Sequence, residues 1–257
     1  MSEQSLRIGI IGAGRIVELG HAPGFVEADA RLEALCARTP ETLNRVADHF
    51  SVPRRYTDWR EMLAAGGLDA VSVCTPPALH AEMTVAALEA GCHVLVEKPI
   101  ATSLEECGRM ERAAAASDRL LMIAHNQRFR TQHRIVREVV RSGRLGRVIR
   151  AHAVFAHGGP EHWSPDQKWY FKPELAGRGV LADLGYHKVD LLRWILGEEV
   201  EEIVSLGATA SKPTPAEDNA VAAIRFSGGT IATLQASWTH ATGGPDSVEL
   251  ACERGTI

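Results

Sequence analysis

The first half of the chain alternates between short apolar runs and segments with helical spacing. Five runs have the length and composition of buried strands: residues 6–11, 31–37, 69–74, 93–97 and 120–125. Most of the segments between them place apolar residues three and four positions apart, as a helix does. Strict strand–helix alternation is typical of a parallel sheet covered by helices on both faces. We therefore predict an α/β, doubly wound domain over residues 1–125.

The second half has a different pattern, in which strands follow one another with few helices between them. Strand candidates occupy residues 148–157, 200–210, 220–226, 230–238 and 248–252, and one strong helix covers 180–196. Ser227-Gly228-Gly229 is typical of a hairpin turn between two of these strands. We predict an α+β domain with a mostly antiparallel sheet over residues 126–257.

Composition narrows the class of protein. The formal net charge of −4 argues against a nucleic-acid or membrane-surface partner. Five cysteines without a CxxC pair favour reduced thiols and a cytoplasmic location. The polar start does not resemble a signal peptide, and no apolar stretch is long enough to span a membrane.

A glycine turn follows the first apolar run. Gly12-Ala13-Gly14-Arg15-Ile16 supplies two glycines of a GxGxxG pattern, with Val17 in the third position. The first glycine suits a tight turn, the second lets a pyrophosphate approach the backbone, and the next helix presents its N–H groups to the phosphates. This predicts a dinucleotide-binding, Rossmann-type domain, although an ordinary glycine turn is the simpler alternative.

The end of the second strand bears on the choice of cofactor. An NAD site usually has an acidic residue there to bind the adenosine ribose, whereas this chain has Ala37-Arg38-Thr39. Arg38 and Thr39 are able to bind a 2′-phosphate. We therefore favour NADP over NAD, unless Arg38 is merely an exposed side chain.

Two further strand ends point to the same edge of the predicted sheet. Thr75-Pro76 follows the third apolar run, and Glu97-Lys98-Pro99 follows the fourth. Ligands of open parallel sheets bind at the carboxyl ends of strands, so Lys98 is a catalytic candidate. The Lys98-Pro99 bond is a candidate for the cis isomer. The alternative is a surface lysine before a proline that starts a helix.

Three polar residues share one stripe of the strong helix in the second half. Asp183, His187 and Asp190 are spaced i, i+4 and i+7, while leucines supply the apolar surface. An imidazole between two carboxylates is suited to general base catalysis. A core histidine with satisfied hydrogen bonds is the competing interpretation.

Other patterns leave their function open. Eight arginines between Arg128 and Arg150 are typical of a solvated helix face. The functional alternative is that they help to hold cofactor phosphates or an acidic partner, and nucleic-acid binding is the third choice. His152 and His157 lie on opposite faces of a strand, so we expect no metal site. Trp163, Trp169 and Tyr170 wall a substrate pocket or simply pack locally.

Taken together, these segments resemble the Gfo/Idh/MocA family of oxidoreductases. The resemblance is carried, in the family's order and over nearly the whole chain, by GIIGAGRI, CTPPALH, ALEAGCHVLVEKP, HNQRF, GVLADLGYHKVDLLRW and AEDNAVAAIRF. It implies that Lys98, Asp183 and His187 are catalytic. It implies a cofactor site lined by Gly12, Ala13, Gly14, Arg15, Ile16, Arg38, Thr39, Thr75, Pro76, His80, Glu97 and Lys98. Asn126, Trp169, Asp183 and His187 are then expected to bind substrate.

The resemblance also implies an activity. We expect an NAD(P)-dependent dehydrogenase or reductase that acts on a sugar, cyclitol or related polyol, assembled as a homo-oligomer through the 126–257 domain. His187 would take the hydroxyl proton, Lys98 would stabilise the alkoxide and Asp183 would hold substrate hydroxyls. An NAD-dependent glycosidase and a non-catalytic nucleotide-binding protein are the alternatives. Val17 replaces a commonly small residue, and family members usually continue well beyond Ile257.

Overall fold

The computed structural model describes residues 5–164 and 168–257. The chain separates into two compact units, Met1–Ala124 and His125–Ile257. Within the described residues, no helix is long and apolar enough to cross a membrane.

The first unit is built on a six-stranded sheet in which every pairing is parallel. Its strands are β1 (Arg7–Ile11), β2 (Arg31–Cys36), β3 (Arg54–Tyr56), β4 (Ala70–Val73), β5 (His93–Val96) and β6 (Leu121–Ile123). Its α-helices are α1 (Ala22–Glu27), α2 (Pro40–His49), α3 (Trp59–Ala64), α4 (His80–Glu89) and α5 (Leu104–Ser117). The strand order is β3-β2-β1-β4-β5-β6, which is that of a doubly wound dinucleotide-binding sheet.

The alternating side chains of the strands create a core on each face of this sheet. Ile10 of β1 packs with Leu43 and Val46 of α2, whereas the next residue, Ile11, packs on the other face with Met62 of α3 and Leu88 of α4. Successive side chains of a strand point to opposite faces, so both faces of β1 must be apolar. The doubly wound fold predicted from the alternation is confirmed.

Two local features of this unit differ from the predicted elements. Strand β3 was not predicted; it precedes α3, which begins at Trp59 after Asp58 caps it by accepting from the Arg60 N–H at 2.8 Å. The segment between β1 and β2, which has helical spacing in the sequence, contains a π-helical stretch, Val17–His21, before α1.

The second unit contains a mixed sheet with one parallel pair. Its strands are β7 (Val148–Ala156), β8 (Val200–Ala208), β9 (Asn219–Phe226), β10 (Ile231–Ser237), β11 (Asp246–Cys252) and β12 (Gly255–Thr256). Its α-helices are α6 (Thr131–Arg141), α7 (Pro173–Ala176) and α8 (Tyr186–Leu196). The order is β12-β11-β7-β10-β9-β8, and only β7 and β10 run parallel. The predicted, mostly antiparallel sheet is confirmed.

One face of this sheet forms the core of the second unit. Leu191, Leu192 and Ile195 of α8 pack with Phe226 and Leu234 of the sheet, and all five are almost fully buried. A second π-helical segment, Leu181–Gly185, runs directly into α8. The helix that carries Asp183 and His187 is therefore anchored by its apolar side.

Candidate active site

The glycine turn after β1 has a conformation that requires glycine. Gly12 has φ +110°, and a Cβ added there would lie 2.4 Å from the carbonyl oxygen of Cys74. Its N–H donates to the Cys36 carbonyl at 2.8 Å. The close approach of three strand ends therefore leaves no room for a side chain at this turn.

The helix after the turn begins beside β1, where the order of the strands along the sheet reverses. β1 is flanked by β2 and β4, and the crevice outside the carboxyl ends of such strands is where open α/β sheets bind dinucleotides. The first N–H groups of a helix have no partner within it and suit phosphate oxygens. Ala13 is buried, Gly14 and Ile16 are half-buried and Arg15 is exposed at this place. Val17 is fully buried in the core, so its size is accommodated there.

The end of β2 carries no carboxylate. Arg38 and Thr39 are both exposed, and Thr39 is the N-cap position of α2. Within the described part of the chain, Arg38 has no ion pair. This strand end therefore lacks the acidic residue that usually binds the adenosine ribose of NAD.

The end of β4 is held by a buried histidine. His80 is fully buried, with Nδ1 2.9 Å from the Pro99 carbonyl and Nε2 2.8 Å from the Thr75 carbonyl. Burial lowers the pKa of His80, although the two carbonyls and Glu97 oppose the effect. A neutral ring donates to only one of the carbonyls at a time. The ring thus braces the backbone of the two turns from within, and Thr75 and Pro76 remain half-buried.

The end of β5 carries the predicted lysine. The Lys98-Pro99 peptide bond is cis, as the sequence suggested. Both carboxylate oxygens of Glu97 are occupied: Oε1 lies 2.8 Å from Nε2 of His21, and Oε2 accepts from the Lys98 N–H at 3.0 Å. Glu97, expected to line the cofactor, therefore also holds the backbone beside Lys98.

His21 is a partner that sequence reasoning missed. It closes the π-helical segment, and its Nδ1 lies 2.8 Å from Oγ of Ser72, a fully buried residue of β4. The sequence signal for it is its place at the end of the helical segment that follows the glycine turn. Strand ends β1, β4 and β5 thus lie side by side, with His21 and His80 packed between their turns.

The second unit positions Asp183 and His187 on one continuous helical segment. Asp183 lies in the π-helical turn, where its Oδ2 accepts from Nε1 of Trp238 at 3.1 Å. The ring centroid of His187 is 5.8 Å from that of Phe155 on β7, and His187 is almost buried. Trp238 was predicted only as the end of a strand, because its contact with Asp183 is made over 55 residues.

The third residue of the predicted stripe has a different environment. Asp190 is bound by Arg128, whose Nε donates to Oδ2 at 2.8 Å while Nη2 donates to Oδ1. His125 Nδ1 lies 3.4 Å from the same Oδ2. Asp190 is thus the anchor of an ion pair.

The arginine segment is largely engaged inside its own unit. Besides Arg128, Arg130 donates to Asp246 at 2.7 Å, and Arg137 donates to the Trp194 carbonyl at 3.0 Å and stacks on its ring. Arg147 and Arg150 form ion pairs with Glu253 and Glu249. Carboxylates distant in sequence thus pair with these residues, while Arg147 and Arg150 remain exposed to solvent.

The other predicted substrate residues lie in the second unit. Asn126 is exposed at the start of the 3-10 segment Asn126–Phe129. Trp169 stacks on Tyr170 with ring centroids 3.8 Å apart, and Tyr170 meets Trp163 edge-on at 5.5 Å. These rings form a local aromatic cluster.

The histidines considered as metal ligands have other partners. His152 Nδ1 lies 2.8 Å from Oγ1 of Thr233, and His157 Nδ1 accepts from the Gly159 N–H at 2.9 Å. In residues 5–164 and 168–257, no group of three or more histidine, cysteine, aspartate or glutamate side chains is arranged to hold a metal ion.

Comparison with known proteins agrees with this geometry. Residues 6–125 match the model of the oxidoreductase family with an NAD-binding Rossmann fold, and residues 133–257 match the GFO/IDH/MocA C-terminal domain. A 1,5-anhydro-D-fructose reductase of Ensifer adhaerens is 31% identical over 91% of this chain and 69% of its own length. A myo-inositol 2-dehydrogenase of Thermotoga maritima is 29% identical over 98% of this chain and 74% of its own.

A solved structure shows the same fold. The WlbA dehydrogenase of Bordetella pertussis, determined with NADH and UDP-GlcNAcA, superposes with a TM-score of 0.91 at 28% identity, over all of this chain and 74% of that one. Both halves of the sequence therefore match one family, and the glycine turn, the strand order and the histidine-bearing helix lie where that match runs. The chain belongs to the GFO/IDH/MocA family of oxidoreductases.

Proposed function

We propose that this protein transfers hydride between a nicotinamide cofactor and a secondary alcohol or ketone of a sugar, cyclitol or related polyol. The observation that carries the proposal is the glycine turn at the β1–β4 switch point, with Lys98 at the end of the neighbouring strand. The relatives named above are reductases and dehydrogenases, as is a D-glucoside 3-dehydrogenase of Escherichia coli. They favour redox turnover over the glycosidase and non-catalytic alternatives.

The first unit fits a dinucleotide. The backbone from Gly12 to Ile16 would bind the pyrophosphate through the N-terminus of the helix, and Thr75, Pro76 and Glu97 would border the ring end of the cofactor. His80 contributes by holding two of these turns rather than by touching the ligand. When bound, the nicotinamide supplies the position that accepts or donates hydride. Residues 1–125 thus serve as the dinucleotide-binding domain.

We further propose that NADP is preferred. Arg38 and Thr39 are exposed at the end of β2, and Ala37 stands before them. A guanidinium binds a phosphate with two N–H groups, and no carboxylate repels it here.

Each catalytic candidate has a role that suits its chemistry. Lys98, as an ammonium, would stabilise the alkoxide that forms when the substrate hydroxyl loses its proton. His187, as a neutral imidazole, would take that proton. Asp183, steadied by Trp238, would accept hydrogen bonds from substrate hydroxyls, together with Asn126 and with stacking from Trp169. Residues 126–257 thus serve as the substrate-binding domain and, we propose, as the surface through which copies associate.

A cytoplasmic location is part of the proposal. All five cysteines are free thiols, and four of them are buried. Buried, unpaired thiols suit a reducing compartment.

The test is a turnover screen of purified protein. NAD, NADP and their reduced forms are tried with sugars, inositols and the corresponding keto compounds, and absorbance at 340 nm is followed. We expect cofactor-coupled turnover, with a higher kcat/KM for the NADP pair. Release of free sugar without net change at 340 nm would favour the glycosidase. Cofactor binding without turnover on the whole panel would favour the non-catalytic protein.

A substitution then tests the role of Lys98. Lys98→Ala should lower kcat/KM by about 10²–10³-fold, the usual effect of removing one group that stabilises an oxyanion. The matched control is Lys172→Ala, which removes an exposed lysine of the second unit and should leave kcat/KM unchanged. Equal rates for the two variants would remove Lys98 from the mechanism.

A further inference from the structure

We propose that His21 is a positioning residue for the redox reaction: its ring holds the Glu97 carboxylate, and Glu97 holds the backbone of Lys98. The inference rests on the proposed function and concerns the first unit alone. His21 does not touch the reacting atoms in this proposal and acts through Glu97.

The contacts form an unbroken chain. His21 Nε2 lies 2.8 Å from Glu97 Oε1, and Glu97 Oε2 accepts from the Lys98 N–H at 3.0 Å. The side chains of His21 and Glu97 are only 7% and 15% exposed. Both oxygens of one buried carboxylate are therefore used, one toward the helix after the glycine turn and one toward the catalytic lysine.

The other side of the ring is also fixed. Nδ1 of His21 lies 2.8 Å from Ser72 Oγ, and that hydroxyl lies 3.4 Å from Cys74 Sγ. Ser72 is fully buried on β4, so bulk water does not compete with His21 for its hydroxyl group. The orientation of the ring is determined by two strands at once.

The charges agree with this arrangement. Burial lowers the pKa of His21, but Cys74 and Glu97 outweigh it and raise the pKa to about 10. Burial raises the pKa of Glu97, but His21 and Lys98 outweigh it and keep the pKa below its usual value. At neutral pH an imidazolium thus donates from both nitrogens, to Glu97 and to Ser72.

The pairing has a consequence for Lys98. A carboxylate attracts a nearby ammonium, and the charge of Lys98 is one of the causes that lower the pKa of Glu97. The Glu97 carboxylate and a substrate oxygen compete for the Lys98 ammonium. By neutralising Glu97, His21 weakens the attraction of the ammonium to the carboxylate. It thereby fixes the lysine backbone and preserves the field of the ammonium at the substrate.

The experiment compares four variants of the full chain. His21→Ala should lower kcat about 10–100-fold, while KM and the cofactor Kd change less than about threefold, and Glu97→Gln should lower kcat by a similar factor. A glutamine has an amide NH2, which donates, in place of one carboxylate oxygen, so it cannot accept at both positions that face His21 and the Lys98 N–H. The double variant should be no slower than the slower single variant, because both act through one contact. His21→Gln, which can offer an N–H to Glu97, should recover part of kcat.

His93→Ala is the matched control. It removes a histidine at the opposite end of β5, where Nδ1 accepts from the Leu120 N–H at 3.0 Å. We expect its kcat to equal that of the wild type. If the loss of any histidine contact in this unit slowed the enzyme by lowering its stability, His93→Ala would be slow as well. A loss of kcat confined to the His21 variants therefore identifies positioning.

The outcomes separate the two proposals. If wild type turns over and the His21 and Glu97 variants match its kcat, the inference is overturned and the proposed function stands. If wild type shows no turnover, both fall. Should His21→Ala leave Glu97 uncompensated and fail to fold, the double variant lacks both charges, and wild-type kcat in that variant would overturn the inference.

Discussion

Arg128 and Asp190 form a bidentate ion pair that joins the 3-10 segment after β6 to helix α8. Nε donates to Oδ2 at 2.8 Å, and Nη2 donates to Oδ1. The carboxylate is nearly buried, and the guanidinium is about one-third exposed. Asp190 was expected to flank His187 as an orienting carboxylate; the structure shows that both of its oxygens serve the guanidinium.

Removing Arg128 should therefore affect stability. Arg128→Ala leaves Asp190 with His125 as a weaker partner at 3.4 Å, and we expect a loss of about 2 kcal/mol in the free energy of unfolding. Urea unfolding followed by tryptophan fluorescence measures it, because four of the five tryptophans lie in the second unit. Arg134→Ala, an exposed neighbour on α6, should stay within about 0.5 kcal/mol of wild type. Similar losses in both variants would contradict this interpretation.

Two glycines of the first unit should change stability in opposite directions when replaced by alanine. At Gly12, φ is +110° and the new Cβ would lie 2.4 Å from a backbone oxygen, so Gly12→Ala should cost more than about 2 kcal/mol and abolish cofactor binding. At Gly24, inside α1, nothing lies within 4 Å of the added Cβ. Gly24→Ala should raise stability by up to about 1 kcal/mol. Thermal unfolding and cofactor titration check both, and a tolerated Gly12→Ala would refute the steric argument.

Cofactor preference should depend on Arg38. Arg38→Ala removes a cation that is exposed at the end of β2, and we expect the Kd of NADP to rise about tenfold while that of NAD stays within twofold. Fluorescence titration of both reduced cofactors gives the ratio. Because solvent screens an exposed charge, the effect should shrink at high salt. An unchanged ratio of the two Kd values would remove Arg38 from cofactor selection.

Local patterns were enough to predict both sheets and most of their strands, with the exception of β3 and β12. The alternation of apolar runs with helical spacing predicted β1, β2, β4, β5 and β6, because a buried parallel strand is apolar on both faces. β3 was missed because Arg54-Arg55-Tyr56 is a short, polar edge strand without an apolar pattern. Gly12 and Lys98 were recognised because backbone requirements and strand ends are encoded within a few residues.

The hydrogen-bond partners of Glu97 and Asp183 were harder to predict. His21 reaches Glu97 over 76 residues, and Trp238 reaches Asp183 over 55. No periodicity encodes such pairs, since each depends on how strands and helices pack after folding. The same holds for the arginine segment, whose carboxylates lie as far along the chain as Glu253. Backbone requirements and strand ends were thus predictable, whereas the contacts that orient the candidate site residues were not.

The buried lysine next to His187 in sequence gives the last prediction. Lys188 Nζ is fully buried, 2.6 Å from Oδ1 of Asp246, whose Oδ2 accepts from Arg130 at 2.7 Å. Burial lowers the pKa of Lys188, with Asp246 opposing the effect. Burial raises the pKa of Asp246, but Lys188 and Arg130 outweigh it and keep the pKa below its usual value. One carboxylate thus compensates two cations.

The two single substitutions should therefore be unequal. Asp246→Asn leaves a buried ammonium without a carboxylate and should cost about 3 kcal/mol, whereas Lys188→Met leaves Asp246 paired with Arg130 and should change stability by less than about 1 kcal/mol. The pH dependence follows from the lowered pKa of Asp246. Its contribution is present above the pKa of the unfolded carboxyl, about 4, and is lost as the pH falls through the lower folded value.

Urea unfolding between pH 3 and pH 7 measures both effects. The difference between wild type and Asp246→Asn should be largest at neutral pH and should shrink in acid as wild type itself loses the charge of Asp246. Lys188→Met should remain close to wild type at neutral pH, because the pair that remains still satisfies the carboxylate. If Lys188→Met proved the more damaging variant at neutral pH, the contact of Nζ with the face of Phe155, 5.4 Å from the ring centroid, would outweigh the ion pair with Asp246.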